Sequence, residues 1–352
     1  MAYTTIKNPG LYFNTKLYTG NGSSQTLDMD NLGLLWMKNR TEGSNYCLFD
    51  SVRGGYYTSA PGPILRSNGT TAAGGSDITS AYGITFGSSS STIGSDGGGY
   101  NYNQNGKSYV GWQWRANGAG SANTDGSINS TVSVNTTSGF SIVSYTGTGA
   151  NATVGHGLGA VPKMIIVKNL SDVDNWVVYH NSLGNTDGLY LNTTDSTVGT
   201  NTFWNNTTPT TTVFSVGTHN RVNGSGDNMI AYCFAEKTGY SKFGSYKGNG
   251  NADGTFVYTG FKPAFVIVKC SSTSADWQLA DNKRTTSGGN VIDKDLRPNN
   301  SDSETTNTFV DFYSNGFKLR NNFGNWNASG ETYIYMCFAE EPLVGDNPAT
   351  AK

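Results

Sequence analysis

LYTGNG at 17–22, SYTGTG at 144–149 and SYKGNG at 245–250 open three stretches that carry the same marks in the same order. Each opening is followed by an apolar run ending on a lysine: LLWMKN (34–39), IIVKN (165–169) and VIVKC (266–270). Eight positions beyond that lysine stands an aromatic residue, Tyr46, Trp176 or Trp277. Each stretch closes on an aromatic segment: YVGWQWRA (109–116), MIAYCFAE (229–236) and YIYMCFAE (333–340). Several marks kept in order and spacing are the signature of an internal repeat, which chance likeness between Gly-rich segments would not reproduce.

The repeat divides the chain into an N-terminal arm (1–16), module A (17–117), a Gly/Ser/Asn/Thr linker (118–137), module B (138–240), module C (241–341) and a tail (342–352). Glycine is abundant at 46 residues, and Leu, Glu, Lys and Gln are sparse, so helices are disfavoured by backbone entropy and by side chains that compete for the helix ladder. Aromatic residues at 12% separate the chain from disordered Gly/Ser sequences. Short aromatic and β-branched strands joined by polar turns account for both facts. The expected fold is all-β: three tandem antiparallel β-sandwich, jelly-roll-like modules of about 100 residues.

Side chains alternate along a strand, so YIYMCFAE places Tyr333, Tyr335 and Cys337 on one face and Ile334, Met336 and Phe338 on the other. Both faces are apolar. One belongs to the module's own sandwich; the other requires a neighbouring module, a long loop or a partner chain as cover.

Charged residues make up 14%, with a net charge of −2, and basic residues do not cluster, which argues against a nucleic-acid partner. The longest apolar runs, such as AFVIV (264–268), fall far short of the roughly 20 residues that cross a bilayer, so membrane insertion is not expected. The segment MAYTTIKNPG lacks the basic and apolar blocks of a secretory signal, which points to another route to a surface, such as assembly into a virus particle released by lysis.

No arrangement for catalysis stands out. Cys233 and Cys337 share a repeat position, too far apart in tandem modules to be bridged, and with Cys47 and Cys270 they read as free core thiols with no disulfide and no zinc spacing. His156, His180 and His219 all fall in module B, at no metal-ligand spacing, and read as turn or surface residues. The Gly-x-Gly openings resemble phosphate cradles, but no helix follows them and they recur in every copy, as a turn would. Acid pairs at Asp28/Asp30, Asp172/Asp174 and Asp293/Asp295 read as solvated loop acids, with a surface calcium as the alternative and no metal assigned. Trp204 and Trp326 differ from the in-register tryptophans: they stand in Asn-rich contexts suited to stacking on a sugar and bonding its hydroxyls, against the plainer reading of loop anchors over a sheet edge. They are the two ligand-binding candidates; no catalytic residue and no cofactor is expected.

The stretches AYTTIKNPGLYFNTKLYTGNGSS (2–24), GFSIVSYTGTGANATVGHGLGAVPKMIIVKN (139–169), WVVYHNSLGN (176–185) and GYSKFGSYKGNGNADGTFVYTGFKPAFVIVK (239–269) resemble an uncharacterised repeat-domain family abundant in structural and tail-fibre-like proteins of marine bacteriophages. The likeness covers essentially the whole chain and is strongest in modules B and C. It implies a non-enzymatic phage virion protein, foremost a tail fibre or spike subunit that recognises the host surface. The alternatives are a capsid decoration or fibre–tail adaptor without a ligand, and, behind both, a glycan-degrading enzyme. The partners implied are copies of the chain itself, other virion proteins, and host-surface glycan or protein.

Overall fold

The computed structural model describes residues 4–29, 33–54, 64–72, 83–87, 90–95, 101–286 and 290–342; Asp30 and the tail beyond residue 342 lie outside them. The protein is all-β: apart from one short 3-10 turn and three single-turn helices, the described elements are strands, and every pairing between them is antiparallel.

Each copy of the repeat builds the same four-stranded sheet. Module A contributes β1 (Phe13–Thr19), β2 (Gly33–Asn39), β3 (Cys47–Asp50) and β4 (Ser108–Arg115), in the order β1-β4-β2-β3. Module B repeats this with β5 (Phe140–Thr146), β6 (Pro162–Asn169), β7 (Val177–His180) and β8 (Asn228–Ala235), ordered β5-β8-β6-β7. Module C follows with β9 (Ser241–Lys247), β10 (Phe261–Cys270), β11 (Gln278–Asp281) and β12 (Thr332–Pro342), ordered β9-β12-β10-β11. The closing aromatic strand is central in each sheet, which is why both of its faces are apolar. In module B further strands widen the sheet to eight, among them Ser121–Asn123 and Ser130–Asn135 from the stretch 118–137.

One face of each sheet packs on its own module's outer layer. In module B that layer includes the pair Ala152–Gly155 and Val213–Val216; in module C it is a four-stranded sheet. The opposite faces of all three sheets meet in a single central core, to which module A gives Trp36, Trp112 and Trp114, module B Ile166, Tyr232 and Phe234, and module C Phe265, Met336 and Phe338. Trp114, Phe234 and Phe338 occupy the same register position, six residues past the start of β4, β8 and β12. Their rings touch pairwise, at 6.1 Å (Trp114–Phe234), 5.7 Å (Trp114–Phe338) and 6.1 Å (Phe234–Phe338). Three equivalent residues in mutual contact mark a pseudo-threefold axis, so the cover for each second apolar face is the other two modules.

Polar groups close the same ring around that core. The repeated lysines Lys38, Lys168 and Lys269 are buried, and each ammonium donates to carbonyls of its own turn and to one carbonyl of another module: Lys168 to Thr70, Lys269 to Thr194 and Lys38 to Ser301, each at 3.2 Å. The in-register aromatics do likewise: the Trp176 indole N–H donates to the Arg66 carbonyl at 3.0 Å and that of Trp277 to the Tyr190 carbonyl at 2.9 Å. At the ends of β3, β7 and β11 stand Asp50, His180 and Asp281. Tyr232 donates its hydroxyl to Asp50 (2.8 Å) and Trp112 its indole N–H to Asp281 (2.9 Å). Met336, at the matching place in β12, has no such donor, and there His180 meets the Tyr335 carbonyl instead (3.1 Å). The ring thus runs B onto A, C onto B and A onto C, a head-to-tail contact closed by rotation.

The Gly-x-Gly openings are turns held by this architecture. At Gly147 a Cβ would lie 2.2 Å from the Gly224 carbonyl oxygen, and Gly149 has φ of +71°, a region that favours glycine. The buried Asn223 clamps the turn, accepting from the Thr148 N–H (2.7 Å) and donating to Ala150 and Gly217 carbonyls. Asn103 and Asn327 accept in the same way from the N–H groups of Asn21 and Asn249.

Two outcomes follow. Because Trp114 belongs to all three modules' shared core, Trp114→Ala should cost about 3–5 kcal/mol, and calorimetry should show the whole chain melting in one transition; three separate transitions would contradict the shared core. Burial lowers Lys38, Lys168 and Lys269 to about 8, below the 10.5 of an exposed lysine. Between those values the unfolded chain binds more protons than the folded one, so this contribution grows as pH rises above 8 and is lost as pH falls through it. Urea midpoints should therefore climb just above pH 8 and then level off from about 9, where the buried Cys233 and Cys337 thiols and the buried tyrosines, all raised by burial, act in the opposite sense, and Lys168→Met should flatten the early climb; a slope between pH 8 and 9 that Lys168→Met leaves unchanged would contradict the assignment.

Candidate functional site

The residues that sequence alone offers for chemistry serve mostly as scaffold. All four cysteines are buried free thiols. Cys233 and Cys337 face their own modules' outer layers, away from the central core. Each histidine accepts on Nδ1 from the backbone N–H two residues on (Leu158, Ser182 and Arg221). Burial holds His180 down to about 4 and lowers His156 and His219 as well, so all three are neutral turn anchors at neutral pH. Among the described residues no group of three or more His, Cys, Asp and Glu is placed to hold a metal. Of the acid pairs, Asp174 binds Arg221 and Asp293 takes the Thr286 hydroxyl, whereas Asp295 is buried.

Trp204 and Trp326 sit in single-turn helices rather than loops, α1 (Asn201–Trp204) and, after α2 (Asn220–Asn223), α3 (Gly324–Asn327). Trp204 is 2% exposed, meets Tyr179 edge-on at 5.6 Å and donates its indole N–H to the Asp187 carbonyl, so its ring is an anchor inside module B. Trp326 is buried too, with its indole interacting with the Asp295 carboxylate, and it forms part of the wall of a cavity of about 210 Å³ in module C.

That cavity is walled largely by polar residues. Gln278 Nε2 and Arg297 Nε are buried donors without a hydrogen-bond partner, whereas the Trp326 indole and the Asp295 carboxylate interact with each other; all four residues line the cavity, with these atoms themselves covered by its wall. Gln278 and Asp295 are each 1% exposed. A buried polar group left unbonded costs about 1–3 kcal/mol, so the two donors are a local cost to stability. Asp295 is positioned by the Thr305 hydroxyl, which donates to its other oxygen. Burial raises its pKa above the usual carboxylate range, against the opposing pull of Thr305, Arg297, Arg284 and the Trp326 indole. The Arg297 guanidinium lies 3.7 Å from Asp276 and 3.5 Å from Asp302. Phe309 and Phe323 complete the wall, with Phe309 packed on Trp326 at 6.0 Å and Phe323 40% exposed.

The fold does not require this polar set. Matching β6–β7 with β10–β11 places Val177 of module B where Gln278 stands, and pairing across the next strand places Gly188 and Tyr190 where Asp295 and Arg297 stand. The hydroxyls of Tyr145 and Tyr246 mark Val222 as the counterpart of Trp326. In module B this space is closed by apolar packing: Val177, Tyr190, Val222 and Phe203 share one cluster, and a Cβ on Gly188 would meet the Phe203 ring at 2.9 Å. The same architecture is therefore filled with hydrocarbon in one copy and left open and polar in another. Trp326 was visible to sequence reasoning and Asp295 was noticed only as half of an acid pair. Gln278 and Arg297 were missed; their one sequence signal is the position-by-position contrast with Val177 and Tyr190.

No curated protein matches the chain. The family profile of a domain of unknown function, DUF7483, matches residues 8–342, spanning all three modules and the cavity. With nearly its whole length inside that one profile, the chain belongs to the DUF7483 domain family.

Proposed function

We propose that this protein is a rigid, non-enzymatic recognition component of a phage particle, a tail fibre or spike subunit that carries a binding pocket to the host surface. The observation that supports it most directly is the module C cavity, a polar-walled opening of about 210 Å³ at a place that apolar packing fills in module B. Precision of this kind is favoured by a site on strands held from behind by a packed core, as Gln278 on β11 is by the neighbouring Leu279. Binding is favoured over glycan cleavage because hydrolysis calls for two carboxylates across the scissile bond, and the described cavity wall offers one, Asp295. The phage setting rests on the sequence resemblance. Burial of the second apolar faces inside the molecule also removes the main reason to expect docking through them, which weighs against a decoration or adaptor role.

The test is attachment. Labelled, purified chain should bind host cells saturably, isolated surface polysaccharide should compete, and the polysaccharide should keep its chain length on incubation. Absence of binding together with many copies on the particle head would move the protein to a decoration role, and shortened polysaccharide would make it an enzyme.

A further inference from the structure

We infer that the strand Phe256–Tyr258 of module C is a docking edge for a second copy of this chain, the two strands pairing antiparallel about a twofold axis beside Val257 and joining two outer sheets into one. The strand ends module C's four-stranded outer sheet, and no described strand pairs on its other side. Leu319 donates its N–H to the Thr255 carbonyl at 3.1 Å and Thr259 donates its own to the Asn315 carbonyl at 3.0 Å. Residues 255, 257 and 259 therefore bond inward, and the N–H and C=O groups of Phe256 and Tyr258 face out. Lysine and proline, which ordinarily protect such an edge, are missing from Phe256-Val257-Tyr258. The Phe256 side chain is 45% exposed and that of Tyr258 59%.

Module B shows what covers the matching edge. Its strand Ala152–Gly155 carries the inward pair Val154–Phe214, which corresponds to Val257–Phe317, so Thr153 and Gly155 stand where Phe256 and Tyr258 stand. Their outward groups are taken by an extended stretch of the same chain. Ile128 donates its N–H to the Thr153 carbonyl (3.0 Å), Thr153 donates its N–H to Ser127 Oγ (2.9 Å), and the Ser130 hydroxyl donates to the Gly155 carbonyl (3.0 Å). That stretch precedes module B, whereas module C begins where module B ends, which leaves its edge open. Nor would the same covering fit: a Cβ on Gly155 would collide with the Asn123 amide, and module C has Tyr258 there. A second copy of the strand fits better. With Phe256 opposite Tyr258 across the axis, each outward N–H and C=O meets its complement, and the aromatic rings pair between the strands. The same register sets Gly254 opposite Gly260, so no flanking side chain obstructs the approach. Lys318 is paired with Asp253 and Arg320 with Asp311, so the face beside the strand does not repel its twin.

So short a pairing falls below the roughly 1,200 Å² of stable complexes, so the free chain should dimerise weakly, with Kd on the order of 0.1–1 mM. Sedimentation equilibrium on the full chain at concentrations up to about 1 mM should show monomer and dimer in exchange. The double variant Phe256→Lys with Tyr258→Lys sets lysine opposite lysine and should abolish the dimer. Phe256→Lys with Tyr258→Glu sets opposite charges in the same register and should dimerise at least tenfold more tightly than the double lysine variant. Both variants lose the Phe256 ring that lies over Gly316, so the difference between them reports pairing and not stability. A chain that stays monomeric at about 1 mM, assembly into trimers, association that both variants leave unchanged, or equal loss in both would overturn the interface. The interface does not rest on the recognition role: cell attachment by a strictly monomeric chain would defeat the interface alone, and a dimer that attaches to no cell would defeat the recognition role alone.

Discussion

Trp114, Phe234 and Phe338 touch one another, and the rest of the molecule follows from that contact. Equivalent side chains of three tandem copies can meet pairwise only if their sheets close around one axis. Closure gives each central strand two cores to serve, one shared and one private, and so explains a sequence that is apolar on both faces of β4, β8 and β12. The chain packs in the manner of a homotrimer while remaining one polypeptide. Covalent linkage then lets each copy change independently, which a true trimer cannot do.

Hydrocarbon contact alone would leave the rotation of each module about the axis loosely set. The polar collar sets it. Lys38, Lys168 and Lys269 are surrounded by neutral carbonyls, and one of the carbonyls each needs belongs to another module. A misdocked module would leave a buried ammonium short of an acceptor, which is far costlier than a slipped apolar contact. The tryptophans Trp176 and Trp277 and the residues Asp50, His180 and Asp281 repeat the device at other heights along the ring. The change from Asp to His at residue 180 fits its surroundings: the facing strand offers Met336 and a backbone carbonyl where the other two offer an aromatic donor.

Freed from strict symmetry, module C departs from module B where its outer layer meets the sheet. Gln278, Asp295 and Arg297 replace Val177, Gly188 and Tyr190, while Phe309, in the stretch TNTF (306–309) that repeats TNTF at 200–203, stands on the cavity wall as the counterpart of Phe203. Replacing buried hydrocarbon with polar groups that are only partly paired sacrifices stability, and proteins concentrate such local sacrifices at functional sites. The shared core, more than 30 side chains drawn from all three modules, is large enough to tolerate it.

Much of the fold was legible in the linear chain. Period-two alternation, the three lysine-ended strands and the Gly-x-Gly turns are local features, set by side-chain direction and by backbone sterics, and they identified an all-β repeat protein with doubly apolar central strands. Which surface covered the second face was not legible, because alternation records that a face is apolar and not what lies against it. Composition marked 118–137 as a linker, yet tertiary pairing draws Ser121–Asn123 and Ser130–Asn135 into the module B sheet. Trp204 and Trp326 looked alike in sequence; packing sealed one inside module B and set the other beside Asp295 in a cavity wall. Gln278, Asp295, Arg297 and Trp326 come from three separate segments and become neighbours only when β11, the strand after it and α3 are stacked. The chain by itself determined the repeating β unit, because that depends on near-neighbour geometry; the threefold closure and the cavity were decided by the tertiary structure, because both depend on contacts between residues far apart along the chain.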